Sequence, residues 1–224
     1  MRTNKLLGIN TEFIMLHHIN SDEIEKIERL FSLPQGFISD LQKENDWGFV
    51  IKVHALFEAL FTQLLVEELK QPALKQDLYR LPMNGKCSKV SFLSSLDVFE
   101  ELHRKDIQKF VQGLSELRNR IVHHAENLNF SFEHYYSELS TKNRNSFKGT
   151  VCYFSTKALG VEKNDYENIF VGQIRKWVEL TTFVVLQIMS LYVQHAELKN
   201  QVQELKLQTM TLSQQSNKPV EPNA

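Results

Sequence analysis

Apolar residues recur along most of this chain at intervals of three and four positions, the spacing that gathers side chains on one side of an α-helix. Ser21 can cap a first helix whose apolar face is Ile24, Ile27, Leu30 and Phe31, and Pro34-Gln35-Gly36 ends it. Asp46 is positioned to cap a long second helix reaching about Leu69. There Trp47, Val50, Val53, Leu56, Phe57, Leu60, Phe61 and Leu64 cover more than half the circumference, as in a central helix with neighbours on several sides. Pro72 closes that element, and Pro82-Met83-Asn84-Gly85-Lys86 has the composition of a turn. A further helix is predicted from Ser91, with Phe92, Leu96 and Phe99 facing inward. Asp106 then caps another, whose inner stripe is Ile107, Phe110, Leu114, Leu117 and Ile121.

Residues 130 to 139 predict a short helix carrying Tyr135 and Tyr136. Between 143 and 162 the pattern weakens. Gly149 and Gly160 break a helix there, and Thr150-Val151-Cys152-Tyr153-Phe154 has strand character, which predicts a long loop that can hold a hairpin. From Ile174 the three-four spacing resumes through Trp177, Thr181, Val184, Ile188 and Leu191 and continues to Leu212. Leucine stands at every seventh residue from Leu191 onward. Up to Val193 the other faces are apolar too, so this half belongs inside a bundle. Beyond His195 only the seam stays apolar, which is the pattern of a coiled-coil stalk weakened by His195 and Thr209 in the seam, or else of a single helix that frays past residue 205.

The expected fold is all-α: an up-and-down helical bundle with a long C-terminal helix extending towards a coiled coil. Residues 1–45 form an arm and helix packed on the bundle, 46–194 the bundle, 195–212 the stalk and 213–224 a disordered tail. Phe13, Ile14 and Leu16 give the arm its packing residues.

Composition narrows the classes of function. With 26 Lys plus Arg against 27 Asp plus Glu, the formal net charge of −1 offers no global basic field, so any nucleic-acid contact has to come from a local patch. Arg104, Lys105, Lys109, Arg118 and Arg120 can supply one, diluted by Glu100, Glu101, Asp106 and Glu116. Cys87 and Cys152 are too few for a disulfide framework and lack metal-ligand spacing, as expected of reduced thiols in a cytoplasmic protein. His17 and His18 have no partner cluster, so no metal and no cofactor is expected. The apolar run Leu180 to Val193 is shorter than the ~20 residues a membrane span needs.

One stretch carries candidate chemistry: Leu117-Arg118-Asn119-Arg120-Ile121-Val122-His123-His124. Cleaving an RNA phosphodiester without metal needs a base for the 2′-hydroxyl proton, an acid for the leaving 5′-oxygen and positive charge on the phosphate oxygens. Histidine titrates near neutral pH, arginine offers a planar fork of donors matched to phosphate, and asparagine can orient either neighbour. Asn119 and His123 share one helix face, opposite the apolar stripe and therefore accessible. Arg118 and His123 stand about 140° apart round the axis. A reaching arginine side chain, a helix ending near His123 or a second copy of the helix across a two-fold axis each closes that gap. His54 and Glu58, four apart on the second helix, can support the site from behind or form a plain hydrogen-bonded pair. Tyr135 and Tyr136 can stack on bases or simply pack.

Arg118-Asn119-x-x-x-His123 resembles the R-N-x-x-x-H signature of the HEPN superfamily, compact helical bundles with many prokaryotic metal-independent ribonucleases. Ser91-Phe92-Leu93-Ser94-Ser95-Leu96-Asp97, the helix that follows and Leu114-Ser115-Glu116-Leu117 are similar to that family's approach to the motif, and the likeness spans roughly residues 47 to 128. The resemblance implies a homodimer with the motif on two facing helices. In it Arg118 binds the scissile phosphate, His123 is general base or acid, and Asn119 holds the histidine or the phosphate. Arg120, His124 and Lys109 lie outside the strict pattern as secondary substrate contacts. It further implies a toxin or phage-defence effector held in check by an antitoxin or inhibitor protein, releasing a 2′,3′-cyclic phosphate and a 5′-hydroxyl. Two other readings stand beside it. In one, the arginines and histidines are solvated cations favoured by the negative end of the helix dipole. In the other, the chain is a non-catalytic helical dimer that binds RNA, a nucleotide or a protein partner. No helix pair with a basic recognition helix supports a helix-turn-helix regulator.

Overall fold

A computed structural model describes residues 21–123, 128–154 and 170–216. Among these the chain is all-α. Its helices are α1 (Ser21–Leu30), α2 (Phe37–Lys43), α3 (Asp46–Leu69), α4 (Lys75–Tyr79), α5 (Lys89–Ser95), α6 (Glu101–Val122), α7 (Phe132–Glu138), α8 (Thr141–Lys148) and α9 (Ile174–Ser216), with a 3-10 turn at Pro72–Leu74. The arm expected over residues 1–20 lies outside the described residues, and of the tail expected over 213–224 residues 213–216 continue α9 while the rest lies outside them.

α3 is the hub, packing against α2, α4, α5, α6 and α9. Its near-continuous buried surface explains this, since Phe49, Val50, Leu65 and Thr62 are all completely buried on different sides. Phe57 meets Phe110 of α6 edge to face at 5.1 Å, and Phe61 meets Phe99, which in turn meets Tyr192 of α9 at 5.2 Å. The helices before residue 46 belong to the same core through Ile27, Phe31, Ile38 and Leu41.

Several caps differ from the sequence expectation, and each difference has a physical reason. Asn45, not Asp46, caps α3, accepting the Gly48 amide at 2.7 Å. Asp46 is thereby released for long-range work: it accepts the Phe132 amide and an Arg175 guanidinium nitrogen, both at 2.8 Å. α2 was not expected. Its first amides are satisfied by the buried Glu28 carboxylate, which accepts from Gly36 and Ile38 at 2.8 Å each.

Ser88, not Ser91, caps α5, and the two serines form a reciprocal capping box. The earlier start buries Val90 and Leu93. Phe92 and Leu96 turn outward, against expectation, while Phe99 faces the core as expected. α6 begins five residues before Asp106, which lies buried within it. The predicted inner stripe is as expected, with Ile107, Phe110, Leu114, Leu117 and Ile121 all buried. A Cβ at Gly113 would fall 2.5 Å from the Thr150 hydroxyl, so glycine permits α6 and the segment after α8 to approach closely.

Residues 143–154 are neither loop nor strand. α8 occupies the first part, and Thr150 donates back to the Ser146 carbonyl at 2.9 Å, so the β-branched run continues as turn and helix with Val151 and Cys152 buried. The rest of the predicted loop, 155–162, lies outside the described residues.

α9 runs for 43 residues. Its first half is core, through Trp177, Val185, Met189 and Val193. The last ties to the bundle are Lys199 on Glu68 and Asn200 on the Glu67 carbonyl, both at 3.1 Å, and residues 201–213 are exposed all round. By length and composition Asp46–Leu69 and Ile174–Ser213 are each apolar enough to cross a membrane, beyond what the run Leu180 to Val193 suggested. More than half of each apolar stretch is buried inside the bundle.

Candidate functional site

The motif occupies the last turn of α6, a placement set by the core. Leu114, Leu117 and Ile121 hold the helix against α3, which leaves Asn119 and His123 on the solvent side, and both are exposed. Val122 is the last helical residue and His123 is the C-cap, so the helix stops where the imidazole begins. Arg118 is half-buried at the edge of the core-facing side. Its Nη1 donates to Asn119 Oδ1 at 3.1 Å, bringing the guanidinium round towards the face that Asn119 shares with His123. The reaching side chain and the helix end thus both act to narrow the gap round the axis. Among the described residues no carboxylate pairs with Arg118, and no hydrogen bond joins Asn119 to His123. The negative helix end favours cations here.

Behind the motif, α3 contributes His54. Burial lowers its pKa from the ordinary histidine value, Glu58 opposes that shift, and the nearby charges of Arg118 and Lys89 add to it. A neutral imidazole therefore sits within electrostatic reach of the motif arginine. Glu58 does not form the plain pair with His54 considered from the sequence. Its Oε1 accepts Lys89 Nζ at 3.3 Å, and the fully buried Lys89 also donates to the carbonyls of Tyr79, at 3.1 Å, and of Leu81. Lys89 went unseen in the sequence because its partner lies 31 positions away.

The secondary candidates separate. Arg120 lies about 200° round α6 from Arg118, with its guanidinium over the Tyr135 ring at 4.9 Å. It lines a groove of 260 Å³ with Ser131, His134 and Tyr135, and an adjoining one of 370 Å³ with Asn143, Ser146 and Thr150. Burial raises the Tyr135 pKa, so its phenol stays neutral, while Tyr136 is packed in the core. Lys109 sits about 14 Å up the helix from Arg118, pairs with Asp106 at 3.7 Å and covers the Tyr153 ring. Arg104 is bound to Asp97 and to the Phe99 carbonyl, so the five cations of α6 do not merge into one basic patch. His124 lies outside the described residues.

Among the described residues, no three His, Cys, Asp or Glu side chains gather as a metal site. The arrangement can hold an anion with Arg118, orient it with Asn119 and exchange a proton at His123. No family model matches the chain, and no curated protein or solved structure matches it at a significant level.

Proposed function

We propose that this chain is a metal-independent RNA endonuclease of the HEPN kind. It acts in the cytoplasm as a homodimer, as a toxin or phage-defence effector restrained by an antitoxin or inhibitor protein. The observation that carries the reading is the last turn of α6, where Arg118 is bonded to Asn119 and an uncovered His123 ends the same helix. Arg118 neutralises the scissile phosphate. His123 takes the 2′-hydroxyl proton as the 2′-oxygen forms its bond to phosphorus. The bond to the 5′-oxygen breaks, and that oxygen leaves with a proton from an acid, supplied in the dimer by the second histidine. The products are a 2′,3′-cyclic phosphate and a 5′-hydroxyl.

The test is cleavage of end-labelled RNA in EDTA. The parent should cut, and His123→Ala should lose about two to four orders of magnitude in rate while staying folded. Equal rates in parent and variant overturn the proposal.

The mixed polarity of the outer face of α6 favours a second reading. Glu101, Lys105, Gln108, Gln112 and Glu116 line it up to Asn119, and Gln112 donates to Glu116 at 2.8 Å. Such a surface suits a non-catalytic dimer that binds RNA, nucleotide or protein. A parent that never cuts, combined with an Arg118→Ala protein that no longer binds RNA, selects this reading.

A further inference from the structure

The C-terminal half of α9 carries an apolar stripe that the other described residues leave bare. Leu191, Leu198, Leu205 and Leu212 are 65%, 58%, 61% and 66% exposed, and they recur every seventh residue. The residues by which α9 holds the bundle at this level, Val193, Ala196 and Asn200, lie about 160° round the helix from those leucines. Leu191 borders a groove beside Lys26 and Ile27 of α1, and from Leu198 onward the stripe points away from the molecule. Among the described residues nothing covers α9 between 201 and 213, and a free helical extension of that length is marginal in water.

We propose that a second copy of this chain covers the stripe, forming a parallel, in-register, two-stranded coiled coil from Leu191 to Leu212. His195, Val202 and Thr209 alternate with the leucines to complete the three-four seam of three heptads, about 33 Å long. Thr209 fits such a seam because its hydroxyl donates to the Leu205 carbonyl at 2.8 Å, which leaves a methyl to pack. His195 is the polar layer that penalises other registers.

The like charge of one flank bears on the direction in which two copies pair. Lys206 and Lys199, whose amine also reaches Glu68 of its own chain at 3.1 Å, border the seam on one side, and Gln194, Gln201 and Gln208 border it on the other. In a parallel pair each lysine flank meets the glutamine flank of the other copy. An antiparallel pair sets Lys199 against Lys206. The seam also faces away from α3, against which α6 packs, so this contact is separate from the surface bearing Asn119 and His123 and does not rest on RNA cleavage.

The test uses the full chain with the exposed Cys87 changed to serine and one new thiol at a time, Leu191→Cys or Leu212→Cys. Mild oxidation should link most of either protein into a disulfide-bonded pair, and adding Leu198→Glu and Leu205→Glu should reduce that yield at least tenfold. The glutamates fall at exposed positions, and unchanged core helicity by circular dichroism confirms that the bundle still folds. Linkage at both ends supports the parallel pairing. Linkage at neither end, linkage only between the two different thiols when the proteins are mixed, or linkage that persists with the glutamates overturns it. RNA cleavage by the same proteins reads the other proposal independently.

Discussion

Arg118 donates to Asn119 across 3.1 Å, so the cation and the amide of the motif form one unit, with the titratable His123 one turn further on. That unit depends on the fork of the guanidinium, since one nitrogen engages Asn119 while others remain for a phosphate. Arg118→Lys keeps the charge and removes the fork. RNA cleavage should fall about a hundredfold, while the salt dependence of RNA binding changes little because the number of cations is unchanged. A lysine variant that cuts at the parental rate excludes bidentate recognition by this residue.

His54 makes the stability of the bundle sensitive to pH. Burial lowers its folded-state pKa, and Arg118 contributes to that shift, so the folded protein resists a proton that the unfolded chain accepts near its ordinary value of about 6.5. The stability is complete above that value and is lost as pH falls through it towards the folded pKa. Thermal midpoints measured from about pH 7.5 down to about pH 5.5 should decline more steeply in the parent than in His54→Gln. Parallel curves in the two proteins exclude this linkage.

Glu28 supports α2 from a distance. Its buried carboxylate accepts both the Gly36 and the Ile38 amides at 2.8 Å, and its removal leaves two donors without partners. Glu28→Ala should destabilise the protein by about 3 kcal/mol in urea unfolding. Glu28→Gln, which keeps one acceptor, should fall between the variant and the parent.

Helices whose core contact follows a simple period were legible in the sequence. The stripe of α6 and the heptads of α9 need nothing beyond local spacing, and Arg118, Asn119 and His123 can be grouped as a candidate site because their relation lies within one element. Features that depend on distant partners were not. Asp46 and Asp106 carry the residue type of a helix cap, yet tertiary contacts draw Asp46 to Phe132 and Arg175 and bury Asp106 within α6. α2 is too short for a periodic signal, and its amides are satisfied by a glutamate on another helix. Thr150 to Phe154 read as strand from their branched and aromatic side chains, a preference overridden where Thr150 bonds back onto α8. Glu58 and Lys89 form a pair that no local pattern announces.

With the proposed pairing, α9 gives one continuous rod two independent duties. Trp177 and Met189 are interior residues, whereas none of the side chains from 201 to 213 is. Changes in that outer third can redesign what the protein joins without unsettling the hub, and lesions in the inner third can unfold the hub without altering the outer sequence. If the proposed pairing holds, selection can act on assembly and on folding separately, along a single uninterrupted helix.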